Sequence, residues 1–255
     1  MEAIDFQMHR MFGSASSAFG IAKSGDKYYN DATYNVTYVD SHDYSPESPD
    51  EKNRFAGGTQ TWAEDLNLMF TFRGIPCIYY GSEIEFQKGA VIDVGPKAPL
   101  STTGRAYFGD YLEGEVTATD FSEYQASGEV EKTLGNELSQ HIIKLNAIRR
   151  AVPALQKGQY TVDSKYVKGD MAFIRRYTAE GEDSLACVAV SGGATFKGLP
   201  NGKYIDAVSG DVKQVTDGTL TSASVGKGNM RVYVCCADGF KGIDGAIGEE
   251  GAYLK

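Results

Sequence analysis

The stretch TYNVTYVDSHD, Thr33 to Asp43, sets the reading of this 255-residue chain. YNVTYV is rich in β-branched and aromatic residues, as a strand requires, and Asp40 and then Ser41-His42-Asp43 follow it. A His-Asp pair directly after a buried strand raises two questions. One is what fold the strand belongs to; the other is what the pair acts on.

The flanking segments answer the first question. Upstream, EAIDF reads as a short strand, and QMHRMFGSASSAF as a helix with Met8, Met11 and Phe12 at helical spacing. Downstream, Thr61-Trp62-Ala63-Glu64 has the form of a capping box. Trp62, Leu66, Met69 and Phe70 continue at helical spacing, and Gly74 can end that helix. IPCIYYG is a short continuous apolar run, the pattern of a strand buried on both faces. Strands alternating with crossover helices predict a parallel α/β sheet. In such sheets reacting groups gather at the carboxyl ends of strands, where His42 and Asp43 fall.

Residues from 90 to about 135 read as an irregular polar stretch, and loops of that length inside a domain are often functional. NELSQHIIKLNAIRRAV reads as a helix with Ile142, Leu145 and Ile148 on one face and Pro153 just past its end. Beyond it the character changes. YTVDSKYV, MAFIRRYT, SLACVAVS, KYIDAVSG, VKQVT and NMRVYVCC are short strands separated by Gly, Asn and Asp turns. The boundary falls near Val152-Pro153-Ala154. The expected organisation is therefore an α/β part over residues 1–152 and an all-β antiparallel sandwich over 153–255.

Composition narrows the partners. The formal net charge of −9, with no Lys/Arg block, argues against nucleic acid and favours a neutral or cationic substrate. Met1 to Asp5 lacks the basic and apolar regions of a signal peptide, and no apolar run approaches membrane-span length. Cys77, Cys187, Cys235 and Cys236 form no C-x-x-C pair, so zinc is not expected and buried free thiols are. A His-Asp metallohydrolase needs more ligands than the three histidines, His9, His42 and His141, offer. Ser41, His42 and Asp43 are consecutive, so they cannot form a catalytic relay among themselves.

Several segments resemble one family. YVDSHD, Tyr38 to Asp43, resembles the end of the seventh barrel strand in the α-amylase family of glycoside hydrolases. RGIPCIYYGSEI, Arg73 to Ile84, resembles that family's eighth-strand segment, and AIDF its sixth strand. LNAIRRAVPALQKGQY resembles the last barrel helix running into the C-terminal β-sandwich, and NGKYIDAVSG with MRVYV resembles strands of that sandwich. The resemblance implies a partial (β/α)8 TIM barrel, about strands 6–8, followed by the sandwich.

It also implies a chemistry. Family members are retaining enzymes with a carboxylate nucleophile and a carboxylic acid that protonates the leaving oxygen. By resemblance Asp43 is the third carboxylate, a transition-state stabiliser on the 2- and 3-hydroxyls of the sugar, and His42 binds the same sugar. Arg54 with Phe55 resembles a pair lining a donor-side sugar subsite, across a longer loop than usual. Ser41 and Ser82 stand where the family often has Asn and Asp. Glu83 and Tyr80 are expected to stabilise the eighth strand's end, and Gly104 to Tyr107 to border the acceptor side. No segment resembles the family's Gly-Phe-Arg-x-Asp nucleophile motif. The expectation is then a C-terminal portion of an α-glucan hydrolase that is silent alone and needs the missing N-terminal part of the barrel as partner. A glucan-transferring relative and a non-catalytic glucan-binding remnant are the alternatives. No metal ligand is assigned. Calcium is possible in a full-length enzyme, and a polymer substrate implies an extracellular setting.

Overall fold

A computed structural model describes residues 3–43, 46, 52–92, 99–120 and 123–248. Parts of two expected features, the loop after Asp43 and the polar stretch after residue 90, lie outside the described residues, as does Glu2 of the EAIDF segment.

The first part is built on a short parallel ladder. Ile4 bridges Val36 in parallel, and β1 (Val36–Thr37) pairs in parallel with β2 (Ile75–Pro76). Both connections are helical. EAIDF contributes one bridge rather than a strand, because the Asp5 carboxylate accepts from the Met8 amide and turns the chain into α1 (Phe6–Arg10). The single helix expected from Gln7 onward is two. Ser14 caps a second helix, α2 (Ala15–Gly25), by accepting from the Ser17 amide. Helix α3 (Thr59–Thr71) starts at Gly58, so the capping box at Thr61 does not form. Thr61 accepts instead from Lys227 Nζ at 2.8 Å, and Glu64 from the Ser191 hydroxyl. Both side chains thus serve the β-sandwich rather than their own helix end.

The expectation that IPCIYYG is buried on both faces is corrected. Ile75 and Cys77 are exposed, and among the described residues β2 pairs with β1 alone. Cys77 is therefore not one of the buried thiols, whereas Cys187 and Cys235 are. The polar stretch after residue 90 is also less irregular than expected. It holds a hairpin of β3 (Gly114–Asp120) and β4 (Glu123–Gly128), then α4 (Glu129–Gly135). All of β3 is exposed; its alternating Val116 and Ala118 pair with Ala126 and Tyr124 of β4 on one face, a pattern too short to stand out in a polar stretch.

Helix α5 (Glu137–Ala151) is capped by Asn136, and α6 (Pro153–Lys157) begins on Pro153 at its first position. Nine strands follow: β5 (Gln159–Thr161), β6 (Val167–Lys168), β7 (Ala172–Tyr177), β8 (Ser184–Gly192), β9 (Thr195–Lys197), β10 (Gly202–Asp206), β11 (Val212–Val215), β12 (Thr219–Thr221) and β13 (Val225–Cys235). They form a six-stranded sheet, β11-β10-β13-β8-β7-β5, and a three-stranded sheet, β12-β9-β6, all antiparallel. YTVDSKYV is thus two strands in different sheets, parted by a turn at Asp163.

The two-residue period of the large sheet explains its two buried faces. Ile174, Cys187 and Tyr233 face the small sheet and pack with Phe196 and Leu220, as in a sandwich. Phe173, Val188 and Val232 face the other way and share one core with Leu66, Met69, Phe72, Leu145 and Leu155 of the helical part. Each such aliphatic or aromatic side chain contributes about 1.5–3 kcal/mol on burial. The core therefore runs unbroken past residue 152. Arginines complete this join. Arg149 donates to the carbonyls of Phe70 and Gly74, and Arg175 to those of Thr71, Phe72 and Gly158. Two cations thus satisfy the carbonyl end of α3, where unpaired acceptors and the helix dipole favour positive charge.

Candidate active site at the carboxyl end of β1

Chain direction puts His42 and Asp43 at the carboxyl end of β1, on the same side as Asp5 and Tyr79 of the neighbouring segments. Both side chains are open to solvent, His42 at 67% and Asp43 at 59%, with Nε2 to Oδ1 at 3.4 Å. The turn that carries them is held from below and from the side. The Asp43 amide donates to Ser41 Oγ at 3.1 Å, and the Ser41 amide donates to Asp40 Oδ1 at 3.1 Å. Arg105 donates from Nε and Nη2 to the His42 carbonyl, at 3.0 and 2.7 Å.

Asp40 is the anchor beneath the turn. Its Oδ2 accepts from Arg54 Nε at 2.6 Å and from Ser82 Oγ at 3.2 Å, and its Oδ1 also accepts from the Phe55 amide. Arg54 then reaches the carbonyls of Gly104 and Tyr80, both at 3.0 Å, with its guanidinium 4.6 Å from the Tyr79 ring centre. Arg54, expected to line a donor-side sugar subsite, lies beneath the turn: it is 1% exposed, and its Nε, Nη1 and Nη2 atoms all donate to protein groups, so it organises the site. Three segments meet on this one side chain: the end of β1, the Tyr79–Ser82 segment and the loop at Gly104.

Aromatic rings border the turn. The His42 and Tyr79 rings are 6.3 Å apart, and Tyr79 packs on Tyr80 at 4.5 Å. Burial, reinforced by Tyr80, raises the Tyr79 phenol, so it stays protonated at neutral pH. Tyr80 donates to the Ala106 carbonyl, and the Glu83 carbonyl accepts from Ser139, which ties the end of this segment to α5. Burial holds the Glu83 carboxyl above its usual range.

His9 on α1 also lies near the turn. Its ring stacks on Tyr38 at 4.0 Å, and Nδ1 is 3.2 Å from the Tyr38 carbonyl. Burial pushes its pKa down to about 4; the Tyr38 carbonyl and the Asp43 carboxylate oppose this, and Arg10 adds to it. Sequence reasoning gave no role to Asp40, Arg105 or His9. An acid closing an apolar strand was the available signal for Asp40. Arg105 lay in the stretch expected to border the acceptor side, without a role. Nothing local marked His9. Among the described residues, no three His, Cys, Asp or Glu side chains converge as a metal site, and no calcium ligand is assigned to this chain.

An exposed carboxylate and imidazole, on a turn fixed by buried ion pairing and flanked by tyrosine rings, can accept and donate hydrogen bonds to a neutral hydroxylated ligand. Aromatic faces beside them can stack on its apolar faces.

No family model matches the chain. Curated proteins do. The chain is 30% identical over 220 residues to an α-amylase of Streptomyces lividans, covering 73% of this chain and 22% of that protein. It is 25% identical over 235 residues to a β/α-amylase of Paenibacillus polymyxa, covering 86% and 17%. A cyclomaltodextrin glucanotransferase of Paenibacillus macerans is 25% identical over 228 residues, covering 84% and 26%. The chain thus spans about a quarter or less of the length of these relatives. Among solved structures, an Anoxybacillus α-amylase matches with a TM-score of 0.56 at 19% identity, covering 91% of this chain and 46% of that one. The α-amylase of Geobacillus thermoleovorans matches with a TM-score of 0.55 at 16% identity, covering 91% and 47%. These two likenesses concern the fold. Sequence and fold together make the chain a relative of the α-amylase and cyclomaltodextrin glucanotransferase family, similar to its C-terminal region.

Proposed function

We propose that this chain is the C-terminal portion of a retaining α-glucan glycoside hydrolase acting on α-1,4 bonds of starch or maltooligosaccharides. Residues 1–152 supply about strands 6–8 of a (β/α)8 barrel, and 153–255 the sandwich that follows. The observation that carries the reading is the place of Asp43. It is an exposed carboxylate at the carboxyl end of a strand in a parallel ladder, beside His42 and the Tyr79 ring. The named activities of the relatives, amylase and glucanotransferase, support the glucan as substrate.

In this reading Asp43 hydrogen-bonds the 2- and 3-hydroxyls of the ring being cleaved and favours its distorted, oxocarbenium-like form. His42 binds hydroxyls of the same ring. Charged hydrogen bonds that tighten in the transition state supply several kcal/mol, on the order of those measured for other preorganised sites. The nucleophile and general acid come from an N-terminal barrel portion, the chain's partner. Any calcium ion would be held there as well. A polymer substrate places the enzyme outside the cell; among the described residues no helix is long and apolar enough to cross a membrane.

The test is a chromogenic maltooligosaccharide. The purified 255-residue chain should release no chromophore at a steady rate; steady release would overturn the division of catalytic groups. A glucan-transferring enzyme is the second reading, favoured by the glucanotransferase relatives. Once the barrel is complete, transfer products formed with added maltose would distinguish it from a hydrolase.

A further inference from the structure

One peptide unit joins the two residues of the turn. A peptide is a rigid plane, so the tilt of the His42–Asp43 unit sets ψ of His42 and φ of Asp43, and with them the directions in which both side chains leave the backbone. Both polar ends of this unit are held. The Asp43 amide donates to Ser41 Oγ at 3.1 Å, and the His42 carbonyl accepts from Arg105 Nε at 3.0 Å and Nη2 at 2.7 Å. The first hold is local. The second comes from a residue 63 positions later, and it is the planar fork of a guanidinium closing on one oxygen.

The loop that carries Arg105 is fastened on both sides of it. The Gly104 carbonyl accepts from Arg54 Nη1 at 3.0 Å, and the Ala106 carbonyl from the Tyr80 hydroxyl at 3.1 Å. The Arg105 amide itself donates to Thr103 Oγ1 at 3.2 Å. A Cβ at residue 104 would lie 2.6 Å from Arg54 Cγ, so glycine is what lets the backbone come this close. Ala106 and Phe108 pack with Phe86 in a small apolar cluster outside the two main cores, with the Phe108 and Phe86 rings 5.1 Å apart. Satellite clusters of this kind sit under long loops. Gly104 and Ala106 are buried, and Arg105 between them is half-buried. The backbone that this cluster fixes is therefore the one that presents Arg105 to the exposed turn.

We propose that Arg105 is a positioning residue: by holding the His42 carbonyl it sets the tilt of the His42–Asp43 peptide and keeps both side chains aimed at one sugar ring. That the ring is a sugar rests on the function proposed above; that the peptide is held does not.

The experiment measures ¹⁵N relaxation at residues 41–43 of the 255-residue chain. It also measures kcat and KM on a chromogenic maltooligosaccharide, once the chain is joined to the barrel portion proposed above. Arg105→Met should lower the order parameters of the His42 and Asp43 amides from about 0.85 to below about 0.6. The thermal midpoint should stay within about 3 °C, because water replaces the donor at an exposed carbonyl. In the enzyme kcat should fall by about ten- to a hundredfold with KM within about threefold, since misplacing Asp43 acts on the transition state more than on binding. Arg105→Lys keeps the charge but loses the fork, and its kcat should match that of Arg105→Met within about threefold. A turn as rigid in Arg105→Met as in the unsubstituted chain overturns the proposal whatever the turnover. A mobile turn with kcat unchanged overturns it as well. If the unsubstituted enzyme does not cleave the maltooligosaccharide, the function proposed above fails, and relaxation alone then decides whether Arg105 holds the peptide.

Discussion

Arg54 and Asp40 form a buried ion pair, Nε to Oδ2 at 2.6 Å, directly beneath the exposed His42-Asp43 turn. Neither group is more than 4% exposed. Removing one partner leaves a desolvated charge and loosens three tethered segments at once. Arg54→Met is expected to lower unfolding free energy by roughly 3–5 kcal/mol. Arg54→Lys should be nearly as damaging, because an ammonium cannot span Asp40, Gly104 and Tyr80 in one plane. Urea denaturation of the two variants checks both numbers, and a loss below about 1 kcal/mol would remove Arg54 from its anchoring role.

Gly74 sits where the backbone of α3 returns to the ladder, at φ +83°. A Cβ there would lie 2.6 Å from the Asn35 carbonyl oxygen and 2.7 Å from Thr37 Cγ2. That carbonyl accepts from the Ile75 amide, so any shift breaks the β1–β2 pairing. Gly74→Ala should therefore destabilise by roughly 1–3 kcal/mol, from left-handed backbone strain plus the clash. Thermal unfolding measures it, and the loss should exceed that of Gly181→Ala, which has a similar φ but open space around it.

His9 and His141 are both fully buried, and burial pushes each pKa down to about 4, from 6.5. A depressed histidine pKa means that the unfolded chain takes up the proton first. Stability is thus full above about pH 6.5 and falls as pH drops from 6.5 toward 4, by roughly 2–3 kcal/mol per histidine. Urea midpoints at pH 7.5 and 4.5 should show the loss, and His141→Gln should reduce it by about half. A flat profile between these pH values would contradict the burial of both rings.

The sequence carried the element order well where apolar residues had a clean period. Leu145 and Ile148 marked the buried face of α5, and SLACVAVS marked a central strand. It carried the turn at His42-Asp43 because a strand ended there in consecutive polar residues. It failed where tertiary partners decide. Arg54 is bound to Asp40, fourteen residues earlier, and to Gly104, fifty residues later. No local pattern distinguishes such an arginine from one that faces a ligand. Thr61-x-x-Glu64 matched a capping box, yet the helix is capped three residues earlier, at Gly58, and both side chains turn to the sandwich. The β3–β4 hairpin is exposed throughout β3, and its only apolar alternation, Val116 and Ala118 opposite Ala126 and Tyr124, is too short and small to stand out.

Asp43 gives the sharpest contrast between fold and chemistry. Its side chain is exposed, and its ion-pair contact is with the equally open His42, so Asp43→Asn should shift unfolding free energy by less than about 0.5 kcal/mol. The most direct measurement is kcat of the proposed enzyme, this chain together with the barrel portion proposed to hold the nucleophile and acid, with and without Asp43→Asn, on a chromogenic maltooligosaccharide. The predicted result is a fall of several orders of magnitude at unchanged stability. Turnover within a few-fold of normal would contradict the role of Asp43.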